Sequence, residues 1–218
     1  QSLSDKDKNK LSTKIKLAVL IYASKTLLGF GFNDIEIAYI GKGYEQYEGK
    51  TVAQIAKELK MSNLKAYLYL CDLSENKGRV NMGPYSTDEI ISKFSKHKNA
   101  LYMTDAWVED YGVQNRAIYD CFPKFLKLSL EGSGDTMPNT IRKMTGATAD
   151  RFGFKDRGYV KEGYYADFTI FDESKLIVGE VDVNKPFGIE KVYVNGKLVK
   201  DENGTTPAFE NAGRAIKA

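Results

Sequence analysis

Asp105 is the residue best placed to do chemistry. It closes the apolar run ALYMT and precedes a long polar loop. In parallel α/β folds, reactive side chains gather at the C-terminal ends of strands, where they face a shared mouth. A carboxylate there binds a metal or carries a proton. The plainer alternative is an aspartate that starts a turn by bonding to nearby backbone amides. Arg116, Tyr119 and Lys124 follow in the next segment. They are of a type to line such a mouth, because a guanidinium grips a carboxylate with two parallel hydrogen bonds. Otherwise they are solvated surface groups. His97 is the single histidine, so this chain cannot build a histidine-rich metal site by itself. No Ser/His/Asp or Cys/His set is placed around it. His97 falls at the end of an expected helix, where a protonated imidazole suits the helix dipole. The glycines of GSGD and GKGY do not match a phosphate loop.

The elements that must position these residues are legible from periodicity. Residues 5–28 read as a helix with Leu11, Ile15, Ala18, Val19 and Tyr22 on one face. DIEIAYI alternates as a half-buried strand does. Thr51 and Gln54 have capping-box spacing, and Val52, Ile55, Ala56 and Leu59 form the apolar face behind them. Ser62 or Asn63 caps the next helix, with Leu64, Leu68 and Cys71 inward. RVNM is a short strand. Ser86 and Glu89 repeat the capping-box spacing and open a helix that carries Ile90, Ile91 and Phe94. The order strand, helix, strand that ends on ALYMT suggests a βαβ unit with parallel strands.

AIYDCFPKFLKLSL reads as a helix that Pro123 breaks or kinks near its first turns. Thr136 with Pro138 marks another helix start, and NTIRKMTGATADRFG continues as one or two short helices. After Gly153 the pattern changes to strands: ADFTIFD, KLIVGEV and IEKVYVNGKLVK. Asn195-Gly196 is a hairpin turn, since both residues tolerate positive φ. The tail from Asp201 reads as irregular.

Composition limits the alternatives. The chain has 218 residues, 42% of them hydrophobic, enough for a real core. With 32 basic and 29 acidic residues, net +3, it lacks the basic excess of a nucleic-acid binder. The most basic stretch, KDKNKLSTKIK, reads as the solvated side of a helix. Cys71 and Cys121 form no CxxC pair and read as reduced thiols of a cytoplasmic protein. IKLAVLIYASKTLLGFGF comes closest to a membrane span but is interrupted by two lysines and a serine. The polar start does not read as a signal peptide.

Taken in order, several segments resemble the C-terminal part of the N-acyl-D-amino-acid deacylases (D-aminoacylases) of the amidohydrolase superfamily. They are EGKTVAQIAKEL (48–59), YMTD (102–105), YDCFPKFL (119–126), IRKMTGATADRFGFKDRGYVKEGYYADFTIFD (141–172), GIEKVYVNGKLV (188–199) and AGR (212–214). The resemblance implies an α/β fold: the C-terminal part of a TIM-type barrel plus strands of a small antiparallel β-sandwich. Residues 1–153 would be the partial barrel domain, and 154–218 the sandwich segment and tail. ALYMTD would be the last barrel strand, and the tyrosine pair with Asp167 the structural corner where the chain leaves the barrel.

Members of the family hydrolyse the amide of N-acyl-D-amino acids at a zinc centre. The aspartate after the last barrel strand contacts the metal and shuttles the proton, and Asp105 matches that position. Arg116 and Tyr119 would bind the small-molecule substrate.

The family's zinc-binding histidines and bridging cysteine have no counterpart here, and its second arginine has become Lys124. The complete enzyme would then hold zinc while this chain alone binds none. Its partner would be the missing N-terminal barrel portion, as one subunit of a split deacylase, or another copy of itself. A non-catalytic binding or scaffold remnant is the competing reading. No role with nucleic acid or membrane is expected.

Overall fold

The computed structural model describes residues 15, 16, 19, 31–179 and 186–216. The expected helix over 5–28 lies outside the described residues except at Ile15, Lys16 and Val19, which are helical. The chain is mixed α/β with two antiparallel sheets. It divides into two compact units, one of residues 1–87 and 108–115, the other of 88–107 and 116–218.

In the first unit the alternation of DIEIAYI becomes strand β1 (Ile35–Tyr39), with Ile37 and Ala38 buried. The capping box forms as expected. Thr51 accepts from the Gln54 amide, and the Gln54 side chain accepts from the Thr51 amide at 2.7 Å, opening α1 (Val52–Glu58). Ser62 caps α2 (Asn63–Leu73). Ala66 and Leu70 are its buried residues, while the expected Leu64, Leu68 and Cys71 are only half-buried. Strand β2 (Arg79–Met82) pairs antiparallel with β1, Ile35 opposite Met82 and Ile37 opposite Val80. The core joins Ile37, Ile40, Tyr47, Val52, Ile55, Ala56, Ala66 and Leu70.

Residues 108–115 return to this unit. The Val113 amide bonds the Ala38 carbonyl at 2.7 Å. Gly112 makes that approach with φ +77, and a Cβ there would stand 2.0 Å from the Ala38 oxygen. Only glycine fits.

The second unit opens with α3 (Asp88–Lys96). Next, Leu101–Asp105 forms no strand, which corrects the βαβ expectation. Every strand pair among the described residues is antiparallel. A short apolar run becomes a strand only when a neighbour takes up its backbone groups, and no described strand pairs with this one.

Helix α4 (Ala117–Leu130) runs as one element through Pro123, so of the expected break or kink the break does not occur. The ring costs the helix one hydrogen bond, but Pro123 and Leu126 are its buried residues, and their packing holds it together. Helices α5 (Met137–Met144) and α6 (Gly146–Phe152) follow, the first with proline in its first turn, the second ended by Gly153 at φ 76.

Strand β3 (Phe168–Phe171) begins a four-stranded antiparallel sheet. KLIVGEV, expected as a strand, instead contributes to α7 (Glu173–Val178), and 180–185 lie outside the described residues. Asp172 caps α7 by accepting from the Ser174 and Lys175 amides, and that local bonding outweighs the β-branched Ile177 and Val178. Strands β4 (Ile189–Val194) and β5 (Lys197–Asp201) form the expected hairpin. Asn195 and Gly196 have φ 50 and 78, as a two-residue turn of the favoured hand requires. The tail is more regular than expected, adding β6 (Gly204–Thr205) and α8 (Phe209–Ala212). No helix among the described residues is long and apolar enough to cross a membrane.

Candidate functional site

The segment bearing Asp105 is anchored to α4. The Tyr102 ring lies 4.4 Å from Phe125, centroid to centroid, and the Cys121 thiol donates to the Met103 carbonyl at 3.1 Å. Exposure then alternates: Leu101, Met103, Asp105 and Trp107 are exposed, while Tyr102, Thr104 and Ala106 are half-buried. Asp105 therefore stands in an outward row between apolar neighbours. Its φ is +47, a left-handed conformation that aspartate tolerates better than most residues. Among the described residues its side chain makes no hydrogen bond or ion pair. The turn reading thus has no backbone amide behind it.

Arg116 is exposed and sits at the N-cap of α4, its carbonyl accepting from the Tyr119 and Asp120 amides at 3.0 Å each. Tyr119 is half-buried in the first turn. The structure brings Arg116, Tyr119 and Lys124 onto one helix but gives Asp105 no direct bond to any of them.

Asp120 is the titratable group that the sequence reading passed over. Burial raises its carboxyl above the usual range, against the pull of Lys124 and Arg116. The signal was available, since Arg116, Asp120 and Lys124 are spaced four apart on one helix. Beside it, burial and then the Asp120 charge push the Cys121 thiol up to about 11, with Lys124 pulling the other way. Cys121 is a protonated donor at neutral pH, not a nucleophile. His97 accepts from the Asn99 amide through Nδ1 at 3.3 Å, so it serves the turn after α3 through that nitrogen.

The residues of the DRG, YYADF and AGR segments meet around the hairpin turn. Asp167 bonds Arg157 and accepts from the Asn195 amide at 2.7 Å. Asn195 Oδ1 accepts from Arg157 at 2.8 Å and from Arg214 at 2.9 Å, and its Nδ2 donates to the Ala212 carbonyl at 2.6 Å. Both guanidinium groups lie over the Tyr165 ring, at 4.3 and 3.9 Å from its centroid. Segments far apart in sequence are thus tied at one point.

Among the described residues no three His, Cys, Asp or Glu side chains come together as metal ligands do. Asp105 alone offers one carboxylate where zinc takes about four ligands. These residues do not by themselves fit a zinc ion.

The amidohydrolase family model matches residues 47–199, and the chain belongs to that family. Within it, 83 residues are 37% identical to the D-aminoacylase of Alcaligenes xylosoxydans xylosoxydans, covering 37% of this chain and 17% of that protein. A longer, weaker match, 27% over 185 residues, covers 83% of this chain and 27% of an adenine deaminase from Oceanobacillus iheyensis. The fold is shared with the N-acyl-D-glutamate deacylase of Bordetella bronchiseptica, solved with zinc and a phosphonate mimic of the tetrahedral intermediate. The TM-score is 0.63 at 20% identity, over 81% of this chain and 37% of that one. The chain thus spans well under half the length of each.

Proposed function

We propose that this chain is the C-terminal portion of a zinc-dependent, cytoplasmic amidohydrolase that cleaves the amide of N-acyl-D-amino acids. The carrying observation is the identity to D-aminoacylase, which is higher than that to the adenine deaminase although shorter. In this reading residues 1–153 are the trailing part of a TIM-type barrel, and 154–218 a sandwich segment with its tail.

Asp105 is the proton carrier. Its exposed carboxylate, free of described partners, takes a proton from the attacking water and delivers it to the leaving amine. Arg116, at the open start of α4, holds the substrate carboxylate by a two-pronged contact, and Tyr119 in the first turn supplies a hydroxyl beside it. Because the described residues do not fit zinc alone, Asp105 would be one ligand and the others would belong to polypeptide outside this chain.

The test is an assay of the complete protein, this chain joined to or mixed with its N-terminal barrel portion, for free D-amino acid from N-acyl substrates. Asp105→Asn is expected to lower kcat by 100-fold or more. Arg116→Ala is expected to act mainly through KM. Full activity of Asp105→Asn in a zinc-loaded protein overturns the role given to Asp105. Ammonia release from adenine without amide cleavage overturns the substrate class.

A further inference from the structure

The chain contains two Asn-Gly pairs, Asn195-Gly196 and Asn203-Gly204. Each sits at a hairpin turn of the same sheet. An asparagine before glycine is prone to ring closure on its own backbone, because no Cβ shields the glycine nitrogen. The fold treats the two pairs differently. At the first, the reacting groups are held. Asn195 Oδ1 accepts from Arg157 at 2.8 Å and from Arg214 at 2.9 Å, and Nδ2 donates to the Ala212 carbonyl at 2.6 Å. The Gly196 amide donates to the Ala166 carbonyl at 2.8 Å. The nitrogen that would attack is engaged, and the side chain that would receive it is clamped at both ends. At the second, Asn203 is exposed, and among the described residues its side chain makes no hydrogen bond. Its backbone amide is held by Asp201 Oδ1 at 2.8 Å. Gly204 has open space where a Cβ would stand. The strand it begins has two residues, joined to β5 by the pairs Lys200–Thr205 and Asp201–Gly204. So short a ladder opens readily, and the Gly204 nitrogen can then turn toward the side chain before it.

We infer that Asn203 is a self-modification site and that Asn195 is shielded from the same reaction. The Gly204 backbone nitrogen loses its proton to solvent hydroxide and bonds to the Asn203 side-chain carbonyl carbon. The bond from that carbon to Nδ2 breaks, Nδ2 leaves as ammonia, and a cyclic imide remains. Water then opens the imide at either carbonyl. Opening at the side-chain carbonyl restores the ordinary backbone, with aspartate at 203. Opening at the backbone carbonyl routes the chain through the side chain as isoaspartate and leaves a free α-carboxylate. Water enters, ammonia leaves, and no oxidant, reductant or cofactor takes part. Either product adds a negative charge beside Asp201 and Glu202. The isoaspartyl form also lengthens the backbone by a methylene group at the short end of the sheet, so β6 loses its register with β5. That form is the substrate class of carboxyl methyltransferases that use S-adenosylmethionine and read a misplaced α-carboxylate. Conversion accumulates with time, so the β5–β6 turn distinguishes old molecules from new while the knot around Asn195 keeps its amide.

The test incubates the full chain at mildly alkaline pH, folded and in parallel unfolded in urea. Peptide mapping by mass spectrometry reads the acid fraction at 195 and 203. A purified isoaspartyl carboxyl methyltransferase with labelled S-adenosylmethionine counts isoaspartate in the same peptides. In urea the two sites are expected to convert at rates within about threefold of each other, because neither is then held by the fold. In the folded chain, 203 is expected to keep at least about a third of its urea rate, while 195 slows by at least about tenfold. Methyl uptake is expected in the peptide containing 203 and not in the one containing 195. Asn203→Gln, whose ring closure is slower because the ring is larger, is expected to abolish that uptake. Retention of the amide at 203 in the folded chain while the urea sample converts overturns the site. Equal conversion of 195 and 203 in the folded chain overturns the shielding. Aspartate at 203 without isoaspartate overturns the cyclic route, since direct hydrolysis of the side-chain amide gives aspartate alone. Methyl uptake that persists in Asn203→Gln overturns the assignment to this residue.

Discussion

At the scale of single residues, the most constrained charge in the second unit is Lys143. Its side chain is 4% exposed and donates to Asp135 at 2.5 Å and to the Ser95 carbonyl at 2.6 Å. Burial alone would raise the Asp135 carboxyl. Hydrogen bonds from Lys143, the Thr136 amide and Asn139, with the lysine's charge, outweigh that and hold it below the usual range. A carboxyl depressed in the folded state stabilises the fold above its unfolded pKa and loses that contribution as pH falls through the folded value. The stability of the α3–α5 region is therefore expected to be flat from neutral pH to about 5 and to fall below about 4. Asp135→Asn should flatten that fall when unfolding midpoints are measured across the range. Lys143→Ala leaves the half-buried Asp135 carboxylate with only the Thr136 amide and Asn139, and is expected to cost about 1–3 kcal/mol at pH 7. An unchanged midpoint for Lys143→Ala would show that water replaces the ammonium at no cost.

At the scale of elements, what was legible depended on how local the determining interaction is. Thr51 with Gln54, Ser62, Gly153 and Asn195-Gly196 each fix their own turn or cap through groups within a few residues, and each was readable. Leu101–Asp105 and 175–178 depart from the strand expectation because apolar alternation and β-branched runs say only that a segment can pair, not that a neighbour is there. For the second, the helix signal of Asp172 followed by Glu173 and Ser174 was present and outranks Ile177-Val178. Of the candidate site, Asp105 and Arg116 stood out by type, whereas Asp120 and the Arg157–Tyr165–Asn195–Arg214 knot needed three-dimensional proximity to appear. The knot yields a prediction at this scale. Asn195→Gly keeps the positive φ of the hairpin but removes the acceptor shared by two arginines, and should cost about 1–2 kcal/mol. Asn195→Ala adds the backbone penalty of a left-handed alanine, roughly 1 kcal/mol more. Denaturation that leaves Asn195→Gly indistinguishable from the parent would mean that the knot is held by Tyr165 and Asp167 alone.

At the scale of the whole molecule, the two units are unequally built. The first has a joined core in which Val52, Ile55 and Ala56 are essentially sealed from solvent. In the second, buried apolar residues are scattered, Leu126, Ala149, Leu176, Val199 and Ala212, while Met103, Val160 and Val178 stay more than two-thirds exposed. Apolar surface left in water gives little stabilisation, and a unit with few sealed side chains opens at lower free energy than one with a joined core. Native-state hydrogen exchange is therefore expected to find the strongest protection in β1, α1 and α2, with the β3–β6 sheet exchanging faster. Ile55→Ala removes a fully buried side chain and should cost about 3 kcal/mol, lowering protection in α1 and α2 while leaving α4 and the sheet unchanged. Parallel loss of protection in both units would show that they unfold as one cooperative body.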